Sequence, residues 1–144
     1  MYRTRIDDLP RQGLSRIFVG AERGAVGLSA YLVEADAGQG PGSHTHPYDE
    51  VAFVLRGRAR WTVGGRELEA QQGDILVVKA GEVHAFQAEG AEGLLQLDLH
   101  LAPRFAQTDL DETSAVPPAP HVVALSGPTT VTGWLAALAR TSIR

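Results

Sequence analysis

A chain of 144 residues, 44% hydrophobic and 21% charged, has the size and composition of one soluble globular domain. Its formal net charge of -4 argues against a nucleic-acid surface, which needs clustered cations. The lack of cysteine excludes disulfides, iron–sulfur clusters, thiolate zinc sites and cysteine nucleophiles.

Residues 1–10 mix Arg and Asp around no apolar core, so no signal peptide is expected. No run approaches the ~20 apolar residues of a membrane span, and a cytoplasmic protein with no membrane partner is the expectation. From there, glycines and prolines cut the sequence into short strand-like pieces. The pattern predicts strands near 17–19, 27–35, 51–55, 59–63, 67–70, 75–78, 85–88 and 94–101. Segment 27–35 reads as an unpaired edge in need of cover. Arg56, Arg58 and Arg60 alternate as if along one strand, which would set three cations on one face, either solvated or as a binding patch. Val63-Gly64-Gly65-Arg66 is a hairpin signal, because paired glycines accept the positive φ of a tight two-residue turn. In 94–101, Gln96, Asp98 and His100 alternate with four leucines. The usual packing of sandwich strands sends the leucines inward; the alternative lines a cavity with the polar side. Trp61 and Phe53 read as core.

Many short strands with glycine turns, and no helical period before residue 105, indicate an all-β sandwich or closed barrel. We expect the barrel to occupy residues 1–104. A strap or linker follows over 105–128, with three acidic residues and the cluster Pro117-Pro118-Ala119-Pro120. His121 after it reads as exposed. Residues 129–144 then carry Val131, Trp134, Leu135, Leu138 and Ala139 at helical spacing, which predicts a short C-terminal amphipathic helix. Its apolar face is expected to pack on the barrel or on a partner.

The chemistry concentrates in Gly38-Gln-Gly-Pro-Gly-Ser-His44-Thr-His46-Pro-Tyr-Asp-Glu50. On a strand, the period of two points His44 and His46 to one face, and Pro47 turns the chain so that Glu50 can return to it. Two imidazoles and a carboxylate suit divalent first-row metals. Taken singly, His44, His46, Glu50 and His84 each have an ordinary surface or turn explanation; their joint placement carries the case.

That placement resembles the cupin superfamily. Its first motif is Gly, five residues, His-x-His, three or four residues, Glu, six residues, Gly. Gly38, His44, His46, Glu50 and Gly57 satisfy it at every spacing. Gly73, Gly81 and His84 match the second motif, while Lys79 stands where its Pro is expected and Ala88 where its Asn is. The resemblance implies a double-stranded β-helix, or jelly-roll barrel. In it, His44, His46, Glu50 and His84 would hold one divalent transition metal (Fe, Mn, Ni, Cu, Zn or Co) with positions left open. It also implies a homodimer. Neutral imidazole ligands imply metal loss at mildly acidic pH.

Around this centre, Glu50 and His100 are the candidate catalytic groups. Phe86, Tyr48, Gln96 and Asp98 are candidate pocket residues for a small-molecule substrate. The functional readings are three: a small metalloenzyme with dioxygenase-like chemistry on a chelating substrate, a metal-dependent isomerase or lyase of sugars or ketoacids, and a non-catalytic ligand-binding or sensing module.

Overall fold

The computed structural model describes residues 1–110, which form a 3-10 turn at Ile6–Asp8 and eleven short strands. The strands are β1 (Arg11–Gln12), β2 (Ser15–Phe18), β3 (Ser29–Ala35), β4 (His44–Thr45), β5 (Glu50–Arg56) and β6 (Arg58–Val63). They continue with β7 (Arg66–Gln71), β8 (Ile75–Val78), β9 (His84–Glu89), β10 (Leu94–His100) and β11 (Thr108–Asp109). Every expected strand is present. The two-residue strands β1 and β11 have no counterpart in the sequence pattern, because two residues carry no period. The expected C-terminal helix, the proline cluster and His121 lie outside the described residues.

Two antiparallel sheets result, ordered β1-β2-β3-β10-β5-β8 and β11-β4-β9-β6-β7. Their inner faces make one core, with Trp61 fully buried among Val54, Val33, Ala59, Val78, Phe86 and Leu94. This is the double-stranded β-helix that the sequence resemblance implies. Gly64 and Gly65 turn β6 into β7 with φ of +55° and +77°, and Val63 pairs with Arg66 directly across the turn. Among the described residues no helix is long and apolar enough to cross a membrane.

Four expectations are corrected. First, β3 is no edge: it pairs with β2 on one side and β10 on the other, so the cover it needs is supplied by ladder hydrogen bonds. Second, the three arginines do not share a strand. Arg56 ends β5 and Gly57, at φ +78°, turns the chain before Arg58 and Arg60 begin β6. Those two face solvent, where Arg58 lies 3.7 Å from Glu69 and Arg60 pairs with Glu89. Third, Phe53 sits on the outer face of β5, half-buried, while Ala52 and Val54 point inward.

Fourth, β10 has the right period and the opposite phase. Gln96, Asp98 and His100 are buried, and Leu95, Leu97 and Leu99 point outward. The register explains this: His100 lies opposite Glu50 and Gln96 opposite Val54, so these side chains share the interior with the inward face of β5. The polar row therefore lines the inside of the barrel.

Candidate metal centre

Three segments bring the predicted ligands together. His44 opens β4 and pairs with His84, the first residue of β9, from the facing ladder. His46 lies just past β4 on the same side as His44, as the two-residue period requires. Glu50 begins β5 in the opposite sheet. One ligand atom from each of the four falls within 4.8 Å of the others. All four side chains are buried, between 2% and 5% exposed.

Hydrogen bonds fix how the rings present themselves. His44 Nδ1 donates to the Gly42 carbonyl at 2.7 Å, His46 Nδ1 to the Ala106 carbonyl at 2.8 Å and His84 Nδ1 to the Glu82 carbonyl at 2.9 Å. A carbonyl only accepts, so each Nδ1 carries the proton and each neutral ring turns a lone pair on Nε2 toward the centre. Glu50 Oε2 sits 3.1 Å from His84 Nε2 and 3.3 Å from His46 Nε2. In this tautomer both contacts set acceptor against acceptor, and His46 Nε2 has no hydrogen-bond partner. A proton or a cation must lie among them. Four converging acceptors, each histidine oriented by a backbone carbonyl, fit a divalent metal.

The electrostatics point the same way. Burial acts to raise the Glu50 pKa, but the carboxylate would accept a hydrogen bond from a proton on Nε2 of His46 or His84, and that interaction holds the carboxyl below its usual range. Burial lowers the His44 pKa, opposed in part by the Gly42 carbonyl. At His46 burial also acts to lower it, yet the Glu50 carboxylate and the Ala106 carbonyl together raise it. Burial pulls His100 down to about 4, so its ring is neutral at ordinary pH.

The centre forms one wall of a cavity of about 230 Å³, also lined by Tyr31, Val33, Phe86, Asp98 and His100. Of the predicted pocket residues, Phe86 and Asp98 line it. Phe86 also belongs to the core, its ring 4.9 Å from Trp61. Gln96 is fully buried on the same face of β10 without reaching the cavity wall. Tyr48 is also not in the wall. Its ring stacks on His46 at 5.3 Å, its hydroxyl accepts from Ala106 N–H at 2.9 Å, and it lies 3.1 Å from the Ala106 carbonyl. Tyr48 thus holds the segment that orients His46. That segment comes from residues 105–110, where β11 pairs with β4 and Phe105 stacks on Tyr31 at 4.0 Å.

Sequence reasoning missed Tyr31, Phe105 and Ala106. Tyr31 had a readable signal, since it shares its two-residue period with Val33 and Ala35 on β3. The two motif departures are also explained. Lys79 forms an ion pair with Asp49 and its N–H donates to Glu82 at 3.2 Å, a bond that proline could not make. Ala88 is buried core, bonded through its backbone to Gln39 and Gly38.

Fold and site together define a double-stranded β-helix enclosing a candidate metal centre. Residues 31–100 match the family model described as "Cupin domain". An uncharacterized protein of Streptomyces coelicolor is 39% identical over 59 residues, 41% of this chain and 56% of that protein. Among solved structures, oxalate decarboxylase from Bacillus subtilis superposes with a TM-score of 0.69 at 20% identity, covering 76% of this chain and 32% of that one. The Lactobacillus farciminis oxalate decarboxylase, a formate complex, gives 0.64 at 24% identity, covering 72% and 34%. An uncharacterized Klebsiella pneumoniae protein with a double-stranded β-helix domain gives 0.62 at 21% identity, covering 76% and 97%. At these identities the likeness shows the fold. The chain spans just over half of the curated relative and about a third of each decarboxylase chain.

Proposed function

We propose that this chain is a metalloenzyme with dioxygenase-like chemistry on a small chelating organic substrate. The observation that carries it is the convergence of His44, His46, Glu50 and His84 at the wall of a cavity. Four protein ligands leave two positions on a six-coordinate ion, and the cavity gives a substrate access to them. A divalent ion held there would supply Lewis acidity and, where redox-active, electron exchange. Manganese is one candidate, in line with the Mn(II) centres named for the Bacillus subtilis oxalate decarboxylase.

The chain's own residues do the rest. Glu50 stays ionised and balances the cation's charge. Phe86, Val33 and Tyr31 present apolar surface that excludes water from the bound substrate. His100, neutral and in the cavity wall, offers a ring nitrogen as a hydrogen-bond acceptor to the substrate. The second reading is an isomerase or lyase in which the bound ion polarises a carbonyl. Retention of a ligand without turnover is the third.

Oxygen uptake separates them. Chain loaded with Fe(II) or Mn(II) and offered catechol and 2-oxo acid substrates should consume oxygen in step with substrate loss. Substrate conversion without oxygen uptake would replace the first reading with the second. A ligand bound tightly and recovered unchanged would leave the binding module. For assembly we propose a homodimer through the outer face of the first sheet, where Leu55, Ile75 and Val77 are 43%, 60% and 58% exposed.

A further inference from the structure

The cavity continues beyond the four ligands along the inner face of β10. His100, Asp98 and Gln96 follow one another there, about 7 Å apart along the strand. They are 2%, 3% and 0% exposed. His100 Nδ1, Asp98 Oδ1 and both polar atoms of the Gln96 amide have no hydrogen-bond partner among the described residues. Native interiors rarely leave such a group of polar atoms unpaired, and ligand sites are where they do. Across the ladders Ala52, Val33 and Val54 have no polar side-chain atom to offer Asp98 and Gln96, and the Tyr31 hydroxyl opposite Asp98 leaves Asp98 Oδ1 unpaired. Asp98 and His100 reach the cavity surface, with Gln96 behind them.

The charges in the wall narrow the choice of ligand. Among the described residues, no Lys or Arg lines this cavity. A divalent ion and Glu50 together leave about one positive charge, which matches one anionic group on a chelating ligand. A second anionic group would lie beside Asp98 with nothing to neutralise it.

We propose that Asp98, backed by Gln96 and flanked by His100, is a recognition subsite for an uncharged hydrogen-bonding group at the far end of the ligand. A hydroxyl, carbonyl or carboxamide fits it; a second carboxylate does not. The ligand class is a small monoanionic chelator with a neutral polar end, an inference that rests on the chelating reading of the metal centre above. Burial holds the Asp98 carboxyl well above its usual range, the Glu50 carboxylate adds to this, and the Gln96 side chain opposes it. A neutral carboxyl could donate as well as accept. The charge argument stands without it, because an ionised Asp98 would repel a second anion more strongly. From Asp98 to Glu50 is two positions along the adjoining strand, since Asp98 lies opposite Ala52, and a chain of about five carbons spans that distance.

The test uses calorimetric binding of three 2-oxo acids of equal length to the Co(II)-loaded full chain: 5-hydroxy-2-oxopentanoate, 2-oxopentanoate and 2-oxoglutarate. The hydroxyl-ended acid should bind about tenfold more tightly than the other two, the scale of one buried neutral hydrogen bond. Asp98→Leu should erase that preference, read as the ratio of the affinities for 5-hydroxy-2-oxopentanoate and 2-oxopentanoate, while cobalt content stays unchanged. Asp98→Asn, which still donates and accepts, should keep it. If Asp98→Leu fails to fold by circular dichroism, the wild-type and Asp98→Asn ratios still decide. Equal binding of all three acids, tighter binding of the dicarboxylate, or a preference that survives Asp98→Leu overturns the subsite alone. Binding of none to the loaded chain overturns the chelating reading as well.

Discussion

His100 is buried with its ring edge-on to Tyr31 at 5.1 Å, and burial lowers its pKa from 6.5 to about 4. Between those two values the unfolded chain binds a proton that the folded chain does not. Stability therefore falls as pH drops through that window and is unaffected by this residue above it. At about 1.36 kcal/mol per unit the full cost is on the order of 3 kcal/mol. Urea denaturation of the metal-free chain at pH 7 and pH 4.5 should show a smaller loss for His100→Asn than for the wild type. Equal losses in the two proteins would mean that His100 is not held neutral. The same scale shows how far the site could be read from sequence. The four ligands sit on two short segments with fixed spacing, and two of their orienting carbonyls, Gly42 and Glu82, lie two residues before the histidines they hold. The third, Ala106, lies 60 residues from His46. No local pattern carries such a contact.

Among the elements, β10 marks the limit of periodicity as evidence. Alternation located the strand and sorted its side chains into two faces, but which face turns inward is decided by register with β5. Pairing of His100 with Glu50 settles it, and that pairing joins residues 50 apart in the chain. The Gly64-Gly65 turn is legible because glycine is demanded by local geometry, whereas an expectation of Arg56, Arg58 and Arg60 on one strand runs through the turn at Gly57. Gly57, at φ +78°, makes the turn from β5 to β6, and a Cβ added to it would lie 1.9 Å from the Gly93 carbonyl oxygen. Gly65, at φ +77°, has nothing within 4 Å of its Cβ position. Gly65→Ala should cost only the left-handed backbone strain, about 1–2 kcal/mol. Gly57→Ala should add a backbone collision and cost at least about 3 kcal/mol. Chemical denaturation of the two variants checks the difference, and equal losses would show that the β5–β6 turn tolerates a side chain.

At the level of the molecule, the first sheet keeps an apolar inner face at Val33, Val54 and Val78 but interrupts it along β10. Its inner face spends buried positions on His100, Asp98, Gln96 and Glu50, and its outer face displays Leu55, Ile75 and Val77 with the half-buried leucines of β10. An apolar face of that extent is a surface that a second copy would bury. Ile75→Lys with Val77→Lys should shift the chain from dimer to monomer in analytical ultracentrifugation, and an unchanged sedimentation coefficient would place the interface elsewhere. The class and the eight longer strands were readable because glycines punctuate most of the turns between them; the packing of the outer face was not, since periodicity is blind to what lies beyond the sheet. The metal centre joins these scales. Elemental mass spectrometry of the purified full chain, beside a His44→Ala/His46→Ala variant, tests it most directly. About one equivalent of a divalent transition metal per wild-type chain, absent from the variant, is the predicted result. No metal in the wild type after reconstitution with Fe, Mn, Co, Ni, Cu and Zn, or equal metal in both proteins, would contradict it.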